Sequence, residues 1–217
     1  AEHAIMMMLA TGRRLAYCDS ELREGRWHSN TFRSSARQLF GSTVGIIGFG
    51  RIGKQVAKRL IGFGTKTIYT DLLEMSPEIE AELKVTRVDI DTLLAESDFV
   101  SLHVPLTELT HHLIDEVALN KMKADATLIN CARGPVVSEV ALIAALKSGH
   151  IGGAGLDVFE VEPPAAPNPF AGFANVVLTP HHAPGTRDTM IVKFKEIFAN
   201  ADRFFNGERM ENEISLI

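Results

Sequence analysis

Cysteine is nearly absent: Cys18 and Cys131 are the two in 217 residues. So sparse a set builds no disulfide framework, and the expected compartment is a reducing one, the cytoplasm. Basic charge is also short, with 22 Lys and Arg against 27 Asp and Glu for a net charge of −5. That balance offers no surface for a polyanion, which argues against nucleic acid and anionic membrane as partners. No apolar run approaches the ~20 residues needed to cross a bilayer. The most apolar segment, "AEHAIMMMLA" at residues 1–10, carries Glu2 at its start and is followed by Arg13 and Arg14. That is the reverse of a secretory leader, and the segment reads as a buried helix. Internal repeats, low-complexity segments and long blocks of like charge are missing as well.

What is present suits a globular fold. Hydrophobic residues make up 46% and charged residues 23% of the chain, enough apolar side chain to bury a full core. Residues 1–17 read as a helix, apolar over most of its surface, followed by a polar arm to about Gly41. Then short β-branched runs begin to alternate with helical patterns. Thr43 to Ile47 reads as a strand, Arg51 to Gly62 as a helix with Ile52, Val56 and Leu60 inward, and Thr67 to Thr70 as a second strand. The charged "EMSPEIEAEL" reads as a solvated helix. Further strands are expected at "SDFVSLHVP", "ATLINC", "GGAGLDVF" and "NVVLTP", with helices at Asp115 to Met122 and Ser138 to Ser148. Such alternation implies a doubly wound parallel sheet covered on both faces. The Pro-rich "EVEPPAAPNPF" is a rigid loop, and residues 186–207, with Ile191, Phe194, Phe198, Ala201 and Phe205 in helical register, form a closing amphipathic helix. The expected division is 1–40 for the first helix and arm, 41–185 for the sheet domain, and 186–217 for the C-terminal helix.

The stretch "GIIGFGRIG", residues 45–53, places Gly48, Gly50 and Gly53 in the pattern G-x-G-x-x-G between a strand and a helix. Context makes the pattern informative. The first glycine permits a tight turn, the second a close approach of backbone to a pyrophosphate, and the third close packing of helix on strand. Arg51 and Ile52 fall in the first turn of that helix, whose N-terminus faces the phosphates. Asp71, after "TIYT", is the acid expected about 20 residues on to hold the ribose hydroxyls. Its charge would repel a 2′-phosphate, which favours NAD over NADP.

Three later residues stand at or beyond strand ends, where such sheets bind ligands: Arg133 after "LINC", Glu162 after "GLDVFE" and His181 after "VVLTP". Together they make a set suited to hydride transfer. An Arg fork grips a carboxylate, a His exchanges the proton that accompanies the hydride, and an acid fixes the tautomer of the His. The pairs His111–His112 and His181–His182 suggest a metal, but neighbours in extended chain point to opposite faces, so no metal is expected. Cys131 reads as a half-buried strand-end thiol. A short-chain dehydrogenase would need Lys four residues after Tyr, and neither Tyr17 nor Tyr69 has one.

Taken in order, "TVGIIGFGRIG", "HVPLT", "INCARGPVV", "GAGLDVFEVEPP" and "LTPHHAPGT" resemble the successive signatures of the D-isomer-specific 2-hydroxyacid dehydrogenases, over essentially the whole chain. The resemblance implies a Rossmann-type NAD-binding domain with an interdomain helix at each end, and most of that family's substrate domain outside this sequence. It further implies that Arg133 binds the substrate carboxylate, that His181 is the acid/base with Glu162 as its partner, and that Asp157 contacts the nicotinamide carboxamide. Val104, Pro105 and Cys131 would line the cofactor cleft. The implied reaction is reversible reduction of a 2-oxo acid to a D-2-hydroxy acid by NADH, in a homodimer. Two positions depart from the pattern: His182, where the family usually carries an apolar residue, and Pro184, inside a small-residue turn. The alternative is an NADH-sensing binding protein, like the corepressors similar to this family. Formate dehydrogenases of related architecture fit less well, because the partner expected for His181 here is an acid.

Overall fold

The computed structural model describes residues 1–213. By its internal contacts the chain divides into a unit of residues 1–181 and a second of residues 182–217. Residues 214–217, the end of the expected C-terminal segment, lie outside the described residues.

The first unit is built on seven strands: β1 (Thr43–Ile47), β2 (Lys66–Thr70), β3 (Val85–Arg87), β4 (Phe99–Leu102), β5 (Thr127–Asn130), β6 (Gly153–Leu156) and β7 (Val176–Leu178). Their order is β3-β2-β1-β4-β5-β6-β7, and every pairing is parallel. Two helices, α1 (Glu2–Gly12) and α2 (Leu15–Arg23), precede the sheet, and the crossovers that parallel strands need are supplied by α3 (Arg51–Leu60), α4 (Pro77–Leu83), α5 (Ile90–Glu96), α6 (Glu116–Lys121) and α7 (Glu139–Ser148). The central strands are buried throughout, as a sheet covered on both faces requires. On one face Ile5, Met7 and Met8 of α1 and Val56 and Leu60 of α3 pack with Ile46, Tyr69 and Phe99. On the other, Leu93 and Leu94 of α5, Leu119 of α6 and Leu142 and Leu146 of α7 pack with Val100, Leu102 and Leu128. Strand order reverses between β1 and β4, where Ile47 pairs with Thr70 on one side and Leu102 on the other. In an open parallel sheet this reversal opens a crevice above the strand ends.

The local signals explain several boundaries. Ser138 caps α7 by accepting from the Ala141 N–H, and Gly149 closes it at φ 72°, so this helix keeps its expected limits within one residue. Asp115 caps α6 in the same way. The expected helix of residues 1–17 differs. It ends at Gly12, Arg14 turns left-handed at φ 53°, and α2 runs from Leu15 into the segment read as a polar arm. Two adjacent arginines cannot continue the buried face that Met7 and Met8 begin, and α2 itself buries no residue. β3 and α5 are additional to the expected elements. β3 is a three-residue edge strand with only Val85 buried, and α5 is a seven-residue helix announced by the Asp89 cap on the Thr92 N–H.

Among the described residues, the second unit centres on α8 (Arg187–Phe205), capped by Thr186 and carrying the expected stripe of Ile191, Phe194 and Phe198. Asn200 and Arg203 bond back to Glu211, holding the chain that follows against the helix. No helix among the described residues is long and apolar enough to cross a membrane.

Candidate active site

The first crossover turn lies at the strand-order reversal. Gly48 adopts φ 91°, and a Cβ there would stand 2.7 Å from the His103 carbonyl beyond β4. Both the conformation and the space therefore exclude a side chain. Gly53 faces the Gly48 carbonyl so closely that a Cβ would overlap it, which lets α3 lie directly on the turn. At Gly50 nothing lies within 4 Å of where a Cβ would stand, and no side chain caps the N-terminus of α3. This open approach to a helix N-terminus, in the turn that also carries Arg51 and Ile52, fits a pyrophosphate.

Asp71 stands one residue beyond β2. Its Oδ2 accepts the Phe49 N–H at 2.5 Å and its Oδ1 the Leu73 N–H at 2.8 Å. A carboxylate has about four acceptor positions. Asp71 thus ties down the glycine turn and retains acceptors for ribose hydroxyls. Val104 and Pro105 follow β4 across from Gly48, half-buried and exposed respectively. Beside them burial pushes the His103 imidazole down to about 4, leaving it neutral, with Nε2 2.9 Å from Ser101 Oγ. Burial pushes the Cys131 thiol up to about 12, with the Asp157 carboxylate adding to the effect. It stays a thiol at neutral pH and is no nucleophile.

Arg133, Glu162 and His181 follow the three consecutive strands β5, β6 and β7, so their loops emerge side by side. The first two loops are pressed together: Gly134 meets the Phe159 carbonyl with no room for a Cβ. Glu139 and Glu160 lock them further, each accepting the other's backbone N–H at 2.8 Å, and His112 Nε2 lies 3.2 Å from Glu160. Arg133 is extended and exposed, its carbonyl held by Asn130 Nδ2 at 2.9 Å. His181 Nδ1 lies 2.7 Å from Glu162 Oε2, and Glu162 Oε1 accepts the Phe159 N–H at 3.0 Å. A carboxylate only accepts, so Nδ1 carries the hydrogen and Nε2 is left to face a ligand. Burial raises the Glu162 carboxyl, but the hydrogen bonds from His181 and Phe159 outweigh it and hold the group below the usual glutamate value. The pair borders a cleft of about 340 Å³ walled by Phe159, Pro163, Pro164, Asn168, Leu178 and Pro180. Asp157, at the end of β6, has no exposed surface and accepts the Thr179 hydroxyl at 2.5 Å.

His111 and His112 do not point to opposite faces. His112 is left-handed at φ 50°, and the two rings stack with centroids 4.0 Å apart. The chain is not extended at His112, so the alternation of faces expected of extended neighbours does not hold there. No group of three side chains suited to hold a metal occurs among the described residues.

Residues 5–183 match the family described as D-isomer specific 2-hydroxyacid dehydrogenase, NAD binding domain. The chain is 42% identical over 217 residues to a glyoxylate reductase of Korarchaeum cryptofilum, covering 99% of this chain and 65% of that protein. It is 44% identical over 190 residues to a hydroxypyruvate reductase of Thermotoga maritima, covering 87% and 60%. The apo crystal structure of Rhodotorula graminis D-mandelate dehydrogenase superposes with a TM-score of 0.90 at 35% identity, covering 99% of this chain and 64% of that one. The chain therefore spans somewhat under two thirds of the length of these relatives.

The lowered Glu162 carboxyl has a testable sign. A depressed folded value stabilises the fold at pH above the ordinary glutamate range, and that contribution is lost as pH falls through the folded value. A ¹³C NMR titration of the Glu162 carboxyl is expected to give a midpoint below 4.5. In His181→Ala the midpoint should rise, since burial then acts with one hydrogen bond fewer against it. A midpoint that does not move would mean that His181 is not the group holding it down.

Proposed function

The chain belongs to the D-isomer specific 2-hydroxyacid dehydrogenase family, and from that premise we propose that it transfers hydride between NAD(H) and a small 2-oxo acid or D-2-hydroxy acid. The observation that carries this reading is the His181 Nδ1–Glu162 hydrogen bond, made between the loops that follow β6 and β7, next to the strand β5 that Arg133 follows. Residues 5–183 correspond to the family's NAD-binding domain. Gly48, Gly50, Arg51, Ile52 and Gly53 hold the pyrophosphate on the α3 N-terminus, and Asp71 takes the ribose hydroxyls. Val104, Pro105 and Cys131 line the cleft toward the nicotinamide, with Asp157 assigned to the carboxamide end. Bound NADH supplies the hydride.

Everything else in the reaction falls to side chains. The Arg133 guanidinium presents a planar fork of donors to the substrate carboxylate, fixing which carbon faces the nicotinamide. His181 Nε2, protonated, donates to the oxygen of the carbonyl as charge develops there. Glu162 stabilises the imidazolium and keeps the proton on Nδ1, so Nε2 is always the atom that exchanges. In the oxidative direction the neutral Nε2 accepts the hydroxyl proton of the D-2-hydroxy acid. The substrate class is the one that the glyoxylate reductase and hydroxypyruvate reductase relatives name.

The working assembly is a homodimer in a reducing cytoplasm. Met6, Leu9, Leu15 and Phe63 expose apolar surface around a groove of about 710 Å³ on the α1 side, rimmed by Arg13 and Arg59. A second copy of the chain is the occupant that this groove suits.

His181→Ala should lower turnover of glyoxylate or hydroxypyruvate by about 10²–10⁴-fold, the usual worth of a general acid/base. NADH affinity should stay within about twofold, because the glycine turn and Asp71 are untouched. Turnover retained in this variant would remove His181 from the chemistry. Light scattering at micromolar concentration should give the mass of a dimer, and a monomer would contradict the assembly.

A further inference from the structure

Under His181 lies a polar cluster of which the hydride-transfer reading uses only Asp157, and that residue only toward the cofactor. Its members come from three places: His3 from the first turn of α1, Asp157 from just beyond β6, and Thr179 from just beyond β7. Thr179 Oγ1 lies 2.5 Å from Asp157 Oδ1. His3 Nε2 lies 3.0 Å from Thr179 Oγ1 and 3.4 Å from Asp157 Oδ1. Asp157 has no exposed surface, and the His3 side chain is 12% exposed, so water does not carry these contacts.

The chemistry of the groups fixes the direction of donation. An ionised carboxylate only accepts, so the one hydroxyl hydrogen of Thr179 points at Asp157. Thr179 Oγ1 then has only acceptor capacity left for His3. His3 Nε2 must therefore carry a hydrogen, and the order runs from His3 to Thr179 to Asp157.

The backbones of the same two residues hold His181. Its N–H lies 2.7 Å from the Asp157 carbonyl and 3.1 Å from that of Thr179. His181 also adopts φ 51°, a left-handed conformation that a residue with a side chain keeps only where its surroundings impose it. The surroundings here are Asp157 and Thr179, which the β6–β7 ladder sets side by side and whose side chains are joined by a bond that His3 extends.

We propose that His3, Thr179 and Asp157 form a positioning relay that holds the left-handed turn at His181 and so sets its ring on Glu162. His3 is thereby a positioning residue for the reactive histidine, supplied by a helix on the far side of the sequence. The first helix does more than cover the sheet. The consequence for turnover rests on the acid/base reading of His181, whereas the geometric claim does not.

Long-range ¹H–¹⁵N spectra of protein labelled with ¹⁵N-histidine report which ring nitrogen bears hydrogen in each residue. In the wild type, His3 should carry hydrogen on Nε2 and His181 on Nδ1. A His3 ring found without hydrogen on Nε2 would overturn the relay with no variant needed. In His3→Ala the Nδ1–H signal of His181 should be lost to exchange between tautomers. His3→Gln, whose amide nitrogen can donate to Thr179 in place of Nε2, should restore it. Should His3→Ala fail to fold, Thr179→Val removes the hydroxyl at nearly constant volume and is read for the same loss. A His181 signal unchanged in a folded variant, even one that melts lower, would reduce the cluster to an anchor for α1 and overturn the proposal. Since the readout needs no turnover, a His181→Ala protein that remained active would remove the acid/base role and leave this result standing.

Discussion

At Gly48 the backbone of the first crossover turn passes so near the His103 carbonyl that no residue with a Cβ fits. That close approach is the constraint on which the rest depends. It joins β1, β4 and the start of α3 at the point where strand order reverses, and it leaves the mouth of the crevice walled by backbone. Gly53 continues the constraint by letting α3 lie on the turn, and Asp71 completes it by accepting the Phe49 N–H. One carboxylate thus holds the turn and, in the proposed function, also receives the ribose. Replacing Asp71 would loosen the turn as well as remove the proposed ribose contact, so the two effects would come together.

From that corner the parallel sheet delivers the remaining chemistry by register alone. Every strand ends on the same side, so the loops after β5, β6 and β7 bring Arg133, Glu162 and His181 to one edge without any of them being near the others in sequence. Gly134 and the reciprocal Glu139–Glu160 bonds keep the first two loops from separating. The division of labour then follows from protonation. Glu162 stays ionised because hydrogen bonds outweigh its burial, whereas at Cys131 and His103 desolvation is the largest influence and favours the neutral forms.

Much of this was legible in the sequence because its causes are local. A β-branched run, three glycines, a helical pattern and an acid follow one another within 30 residues at about the spacing such a turn requires, and Ser138 and Gly149 mark the ends of α7 on their own. The parts that were not legible have causes spread along the chain. β3 needs only one buried residue, so no period announces it. The break at Arg14 is decided by what the neighbouring face must bury. The stacked His111 and His112 follow from one left-handed residue, which no pattern of neighbours foretold. His3 and Asp157 meet only because α1 lies across β6 and β7, and no spacing links residue 3 to residue 157 or 179.

The central claim is that the glycine turn and Asp71 form a site for NAD rather than for its 2′-phosphorylated relative. A calorimetric titration of this chain with NADH, run beside NADPH, tests it most directly. The account predicts a saturating, single-site heat with NADH and none with NADPH, since the Asp71 carboxylate would face a second negative charge. Equal binding of both, or preference for NADPH, would contradict it.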